Sequence, residues 1–367
     1  MRIIEANTKD DIKKFYQVEN LVYNNIPYYR STENEIIKLL ITGPTNFHTH
    51  AEITPYLIYD DQKLIGRFAL VHDLRMFDIV QVAFFESLNV VYDPVNLIIP
   101  EVKFKYPDCH KIVIGLNGHL NYGAGILQNN FDKVPAFGLS YTPSYYPALF
   151  EKYKKNNIVT YSFPVKVKEK YLKKLDEFSD NKTYNIRKFN RKNLSNDFLT
   201  YTELNNKCFT EHPYWSERDG IEDLELFEPF KYLLKDENLI FAEYNGQAIG
   251  FLLWFPDFNQ LVNTQRELKA GNDFAYDVLR YKLFNPIKRF RFAEIGVVPE
   301  FRKKGVELVL INTMVRDVLK HNYKTGVGGF IFEKNLDSVN MAVKYMERIV
   351  GEPLHTDNKY AVYEINL

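Results

Sequence analysis

The segment RFRFAEIGVVPEFRKKGVELVLINTMVRDVLKHN, residues 289–322, holds three signals in a row. Phe292 through Val298 is an apolar run with strand character, and Pro299, which has no amide to extend a ladder, ends it. A short loop from Glu300 to Gly305 follows and carries Arg302, Lys303 and Lys304. From Val306, apolar residues recur at Val309, Leu310, Met314, Val318 and Leu319, the spacing of a helix packed on a sheet. Strand, basic glycine loop and helix together aim unpaired amides and the positive end of a helix dipole above the loop. That is a cradle for a phosphate, and Gly305 would let the backbone approach it closely.

Working outward, the segment lies in the second of two similar halves. YLIYDDQKLIGRFAL (56–70) and LIFAEYNGQAIGFLLW (239–254) both read as strand, polar turn, strand, the second with Asn245-Gly246 at its tip. Each carries an Ile-Gly pair, at Ile65-Gly66 and Ile249-Gly250; 249 minus 65 is an offset of 184 residues, half of the 367. A similar offset sets the opening strand MRIIEAN against TYNIRKFN (183–190). An amphipathic helix is expected after each, with Ile12, Phe15, Tyr16 and Leu21 on one apolar face and Phe198, Tyr201, Leu204 and Cys208 on the other. The expected organisation is two αβ domains, 1–180 and 181–367, with the boundary near residue 180 after the charged stretch KEKYLKKLDEFSDNK.

Composition narrows the chemistry. Lys plus Arg and Asp plus Glu both number 47, so no broad field attracts nucleic acid or an anionic membrane, and phosphate binding must be local. Cys109 and Cys208 are far apart and show no C-x-x-C spacing, which predicts reduced, structural thiols. The paired His48 and His50 in NFHTHAE have no third ligand nearby, so no metal is expected. The opening MRIIEANTKDDIKKF has no apolar signal core, and no apolar run is long enough to span a membrane; a cytoplasmic protein is expected.

IGVVPEFRKKGVELVL resembles the coenzyme A motif of the GNAT acyltransferase superfamily, a strand, V-x-P-x-[FY], then [QR]-x-x-G-x-[GA]. The match covers Val297, Pro299, Phe301, Arg302 and Gly305 and departs at Glu307, where the family has Gly or Ala. The whole chain resembles a bacterial group of tandem two-GNAT proteins, in GLNGHLNYG (115–123), FDKVPAFGLSYTPSYYP (131–147), Glu333-x-Asn335 and Tyr363-Glu364. The resemblance implies an α/β, α+β mixed-sheet fold in two tandem GNAT-like domains, the N-terminal one degenerate, because VAFFESLNVVYDPVNLII has no R-x-x-G and no basic cluster.

It further implies acetyl-CoA, or a related acyl-CoA, as co-substrate and no metal. The backbone at Ile295, Val297 and Val298 would pair with the pantetheine arm. Arg302, Lys303, Lys304, Gly305, Val306, Glu307 and Leu308 would hold the pyrophosphate, and Asn335 would sit where the next strand splays away. An amide near Ile295 would polarise the thioester carbonyl.

Direct acyl transfer to an amine calls for a base and for an acid at the leaving thiolate. Glu294 is the candidate base, the alternative being a carboxylate paired with Arg291 or Arg289. Tyr345 is the candidate acid, although the family's usual spacing from Asn335 lands on Ala342. His212, in KCFTEHPYWSE, reads equally as part of a polar loop over Tyr214 and Trp215. The expected activity is N-acyl transfer to an amine of a small molecule or peptide, without nucleic acid or membrane partners. Two other readings stay open: a tRNA-dependent aminoacyl or peptidyl transferase of the two-GNAT type, and a non-catalytic acyl-CoA sensor.

Overall fold

The computed structural model describes residues 1–179, 183–262, 281–284, 286–336 and 339–367. The expected boundary near residue 180 lies outside the described residues. Contacts divide the chain into two units: the first holds Met1–Ile158, Val262 and Asn358–Leu367, and the second holds Val159–Leu261 and the described residues from Tyr281 to Asp357.

In unit 1, β1 (Arg2–Glu5) leads into α1 (Lys9–Tyr23), which starts at a capping box: the Thr8 hydroxyl accepts from the Asp11 amide at 3.1 Å, and the Thr8 amide donates to Asp11 at 3.3 Å. Phe15, Val18 and Val22 are the buried face of α1. After α2 (Asn34–Ile41) come the antiparallel strands β2 (Ala51–Asp60), β3 (Lys63–Asp73) and β4 (Ile79–Ser87). α3 (Pro94–Lys105) crosses to β5 (Lys111–Ile114), which pairs parallel with β4. The C-terminal strand, His355–Asn366, adds antiparallel to β5 from Tyr363↔Ile114 to Asn366↔Lys111, and also to β6 (Ile126–Leu127). α4 (Tyr146–Phe150) closes a core that includes Phe68, Val80, Val82, Val95, Ile98, Ile112, Ile114 and Tyr363. β7 (Lys154–Pro164) contributes its residues up to Ile158 to this unit.

Unit 2 repeats the plan. β8 (Asn185–Lys188) precedes α6 (Leu194–Cys208), and α5 (Glu169–Ser179) precedes both. α7 (Gly220–Phe227) follows, then β9 (Leu239–Tyr244), β10 (Gln247–Pro256) and β11 (Arg289–Val297). α8 (Val306–Leu319) crosses to β12 (Thr325–Phe332), parallel to β11, and α9 (Lys344–Val350) continues a π turn at Val339–Val343. The β9–β10 hairpin turns at Asn245 (φ 50°) and Gly246 (φ 78°), the left-handed pair a two-residue turn needs.

The repeat holds at the level of single hydrogen bonds. The Leu88 amide donates to the Ile65 carbonyl at 2.8 Å, and the Val298 amide donates to the Ile249 carbonyl at 3.0 Å. Gly66 pairs with Ser87 and Gly250 with Val297; four residues along β3 and β10, Leu70 pairs with Val82 and Trp254 with Phe292. Between those pairs each sheet carries one extra residue on the second strand, a β-bulge. Gly66 and Gly250 are glycine for one reason: a Cβ would lie 2.5 Å from the Glu86 carbonyl oxygen in one copy and 2.9 Å from that of Gly296 in the other.

Candidate active site

β11 and β12 part company partway along. Their parallel pairing runs from Arg289↔Thr325 to Phe292↔Gly328. β11 goes on to Val297, while β12 turns at Gly329 (φ 103°) and Phe330 (φ 78°). Asn335 follows β12, and its amide donates to the Phe332 carbonyl at 2.8 Å.

The loop after β11 forms a 3-10 turn at Pro299–Phe301, then passes Lys303 (φ 61°) and Gly305 (φ 84°) into α8. Gly305 is the N-cap and contributes no side-chain hydrogen bond, so the first-turn amides of Val306, Glu307 and Leu308 meet no capping side chain. Nothing lies within 4 Å of the place a Gly305 Cβ would take. Lys303 and Lys304 are exposed beside this opening. Glu307 lies in the first turn, and its Oε2 is buried without a hydrogen-bond partner.

Arg302 behaves differently from its two neighbours. Its guanidinium donates to the Val297 carbonyl at 3.2 Å and to the Cys208 carbonyl at 2.8 Å, and its own amide donates to Pro299 at 3.2 Å. It braces the loop against the end of β11 and the last residue of α6.

The equivalent place in unit 1 is filled from within. Asp93 is the N-cap of α3, accepts from the Val95 amide at 3.1 Å and is ion-paired with Lys152. A carboxylate already satisfies that helix start. The splay between β4 and β5 is also stitched: Asn117 accepts from the Phe84 amide at 3.0 Å, and Gln81 exchanges two hydrogen bonds with Gly118, at 2.9 and 2.7 Å.

Opposite faces of β11 carry the remaining candidates. A Cβ on Gly296 would meet Cys208 of α6 at 3.0 Å, whereas a Cβ on Gly250 would meet Val306 of α8 and Val297, both at 3.3 Å. By strand alternation Glu294 shares the α6 face with Gly296, while Ile295 and Val297 face α8. Tyr201 of α6 donates to the Glu294 Oε2 at 2.7 Å, and of the arginines on its own strand Arg289 is held by Asp257. Burial pushes the Glu294 carboxyl up to about 6, against the Tyr201 hydrogen bond that favours its ionised form.

Tyr345 belongs to the other side. Its hydroxyl donates to Asn312 of α8 at 2.8 Å, and burial raises its proton affinity. His212 is half-buried against Phe332, with ring centres 5.2 Å apart, and its Nδ1 lies 3.2 Å from the Pro213 carbonyl. Burial lowers its pKa, so it is neutral at pH 7. His48 and His50 bond to the Leu40 carbonyl and to Asp73, both at 2.9 Å, and among the described residues no group of His, Cys, Asp and Glu is arranged to hold a metal.

Sequence reading placed Tyr201 in the apolar face of its helix and did not reach Arg218 or Asp223, which lie beneath it. A tyrosine on a core face does signal a hydroxyl in need of a partner, but the sequence does not say which one.

Among solved structures, the chain is similar to a fungal multi-domain GH3 beta-N-acetylglucosaminidase with a GCN5-related glucosamine N-acetyltransferase region (TM-score 0.55, 12% identity, covering 99% of this chain and 38% of that one). It thus spans well under half of that relative's length. It is also similar to a tandem GNAT protein from the clavulanic acid biosynthesis pathway (TM-score 0.51, 10% identity, 100% and 97% covered). A third likeness is an Enterococcus faecalis V583 protein described as a probable N-acyltransferase (TM-score 0.50, 10% identity, 99% and 72% covered). No protein-family model and no curated protein matches the chain. The chain therefore has a mixed α/β fold that matches a tandem GNAT protein over its whole length, as two GNAT-like copies in series.

Proposed function

We propose that unit 2 transfers an acyl group from acetyl-CoA, or a related acyl-CoA, to an amine of a small molecule or peptide. The carrying observation is the uncapped start of α8 at the left-handed Gly305, beside the splayed β11–β12 pair. The first-turn amides, the helix dipole, Lys303 and Lys304 would hold the pyrophosphate. Arg302 would hold the loop in shape, and the edge of β11 from Ile295 to Val298 would receive the pantetheine arm, with Asn335 at the splay.

In the reaction Glu294 takes a proton from the acceptor ammonium, the freed nitrogen attacks the thioester carbonyl, the C–N bond forms and the C–S bond breaks. The nitrogen of the adduct still carries one proton too many and loses it as the C–S bond breaks, while the departing thiolate takes one up; Tyr345 is the candidate donor, its phenolate recovering the proton that the nitrogen releases. Its phenol must then leave Asn312, and Tyr345→Phe tests that role.

Isothermal titration with acetyl-CoA is expected to give one site per chain. Gly305→Glu brings bulk and negative charge into the cradle. Losing two charge-assisted contacts at about 1.5–3 kcal/mol each weakens binding by roughly a hundredfold or more. Thiol release with an amine panel then measures transfer. Undiminished affinity in Gly305→Glu would show that the cofactor binds elsewhere, and tight binding without transfer to any amine would favour a sensor.

A further inference from the structure

Tyr201 is 1% exposed, and its ring is enclosed by Phe198, Phe227 and Phe251, with centres 6.3, 5.7 and 5.1 Å away. Three aromatic contacts leave the phenol little rotational freedom, so packing aims its hydroxyl at Glu294 Oε2, 2.7 Å away. The next residue of α6, Thr202, shares its hydroxyl proton between Asp223 Oδ2 at 2.7 Å and the Phe198 carbonyl at 2.9 Å. Asp223 Oδ1 lies 2.8 Å from the Arg218 guanidinium, and both side chains are fully buried. Arg218 is in turn locked to α6 through its backbone, donating to Asn206 at 3.0 Å and accepting from it at 2.8 Å. Two consecutive residues of one helix thus join the β11 carboxylate to a buried ion pair at α7. Such a pair adds little net stability, but it holds α7 against α6 and places fixed charge near Glu294.

We propose that Tyr201 is the positioning residue of Glu294, fixing Oε2 so that Oε1 faces the acceptor amine, and that the buried Arg218–Asp223 pair holds Tyr201 in place and tunes the carboxylate through α6. The catalytic half of this statement rests on the acyl-transfer reading above.

The charged groups facing Glu294 act with opposite signs. Burial raises its proton affinity, Tyr201 lowers it, Asp223 raises it, and Arg291 on its own strand and Arg218 lower it. Glu222 stands next to Asp223 and raises the latter's proton affinity, after the larger effects of burial and Arg218. Removing the Tyr201 hydroxyl must therefore move the Glu294 titration up, and neutralising Asp223 must move it down. These opposite shifts test the contacts themselves, and the kinetic readout below separates positioning from a merely structural role.

The test titrates the carboxyl carbons of the full chain labelled with 13C-glutamate, with the Glu294 signal identified by its loss in Glu294→Gln. Tyr201→Phe keeps the ring and its aromatic contacts and is expected to raise the midpoint. Asp223→Asn keeps the size of the side chain and its bond from Thr202, and is expected to lower it. With acetyl-CoA and an accepted amine, Tyr201→Phe should also lose about tenfold in kcat/KM near pH 6 and recover toward wild type near pH 9, with KM for acetyl-CoA unchanged. A midpoint unmoved in Tyr201→Phe, or moved the same way in both variants, overturns the proposal; should Asp223→Asn fail to fold, the Tyr201→Phe midpoint decides alone. Full activity in Glu294→Gln would instead remove the base assignment, while an inactive Glu294→Gln with an unshifted Tyr201→Phe midpoint sinks the positioning claim only.

Discussion

Asp93 accepts a hydrogen bond from the amide of Val95 at 3.1 Å, and in doing so it occupies in the first unit the place that Gly305 leaves open in the second. One strand–loop–helix plan thus has two outcomes, decided by the residue at the helix N-cap.

Replacing Asp93 by Ala removes the cap of α3 and the partner of Lys152. The expected cost is about 1 kcal/mol, or a fall in Tm of about 2–4 °C for a unit of this size. The vacated helix start still lacks a left-handed glycine and a basic loop. Calorimetric titration with acetyl-CoA should therefore still report a single site, and a second one would show that capping alone closed the first unit.

The two ladder glycines should be far less tolerant than the turn glycine. Gly66→Ala and Gly250→Ala press a methyl against backbone carbonyls 2.5 and 2.9 Å away, which cannot move without breaking the sheet. Each should lose about 2–4 kcal/mol in urea unfolding. Gly246→Ala has open space around it and suffers only from its φ of 78°, so a loss of about 1 kcal/mol is expected. Equal losses at all three positions would refute the close-approach explanation.

Glu86 gives unit 1 a pH dependence. Burial pushes its carboxyl up to about 7; Arg67, whose guanidinium lies 3.3 Å away, opposes that shift without cancelling it, and Glu19 adds to it. The folded value lies above the ordinary 4.5, so the contribution to stability is complete below about pH 4.5 and is lost as pH rises through about 7. Unfolding free energy should fall by about 1–3 kcal/mol over that window. Glu86→Gln, which mimics the protonated form, should remove this fall between about pH 4.5 and 7; a variant that retains the wild-type slope would assign the titration to another group.

Both cysteines should be inert in the folded protein. Cys208 is buried under Gly296, and burial pushes its thiol up to about 12; burial also raises Cys109. Reaction with Ellman's reagent at pH 8 is expected to be negligible in buffer and to reach two thiols per chain in guanidinium chloride. Fast labelling of the native protein would contradict this burial.

The sequence by itself determined the parts that depend on local chemistry. Proline ended β11, apolar spacing marked α8, and the paired hairpins announced the repeat, because periodicity and backbone restrictions act within a few residues. A glycine ahead of α8 and the lack of a basic loop in the first half are legible for the same reason.

What only the tertiary structure decided is which polar atoms meet. Tyr201 reaches Glu294 across 93 residues of chain, Arg302 reaches the Cys208 carbonyl across 94, and Tyr345 finds Asn312 rather than an open site. A helical or strand period tells which face a residue occupies, but the partner on that face is set by packing between elements distant in sequence. For the same reason the C-terminal strand lies beside β5 of the first unit, although it directly follows the second in the chain. Strand partners are chosen by register and by which edge is unpaired, and neither is written in the strand's own residues.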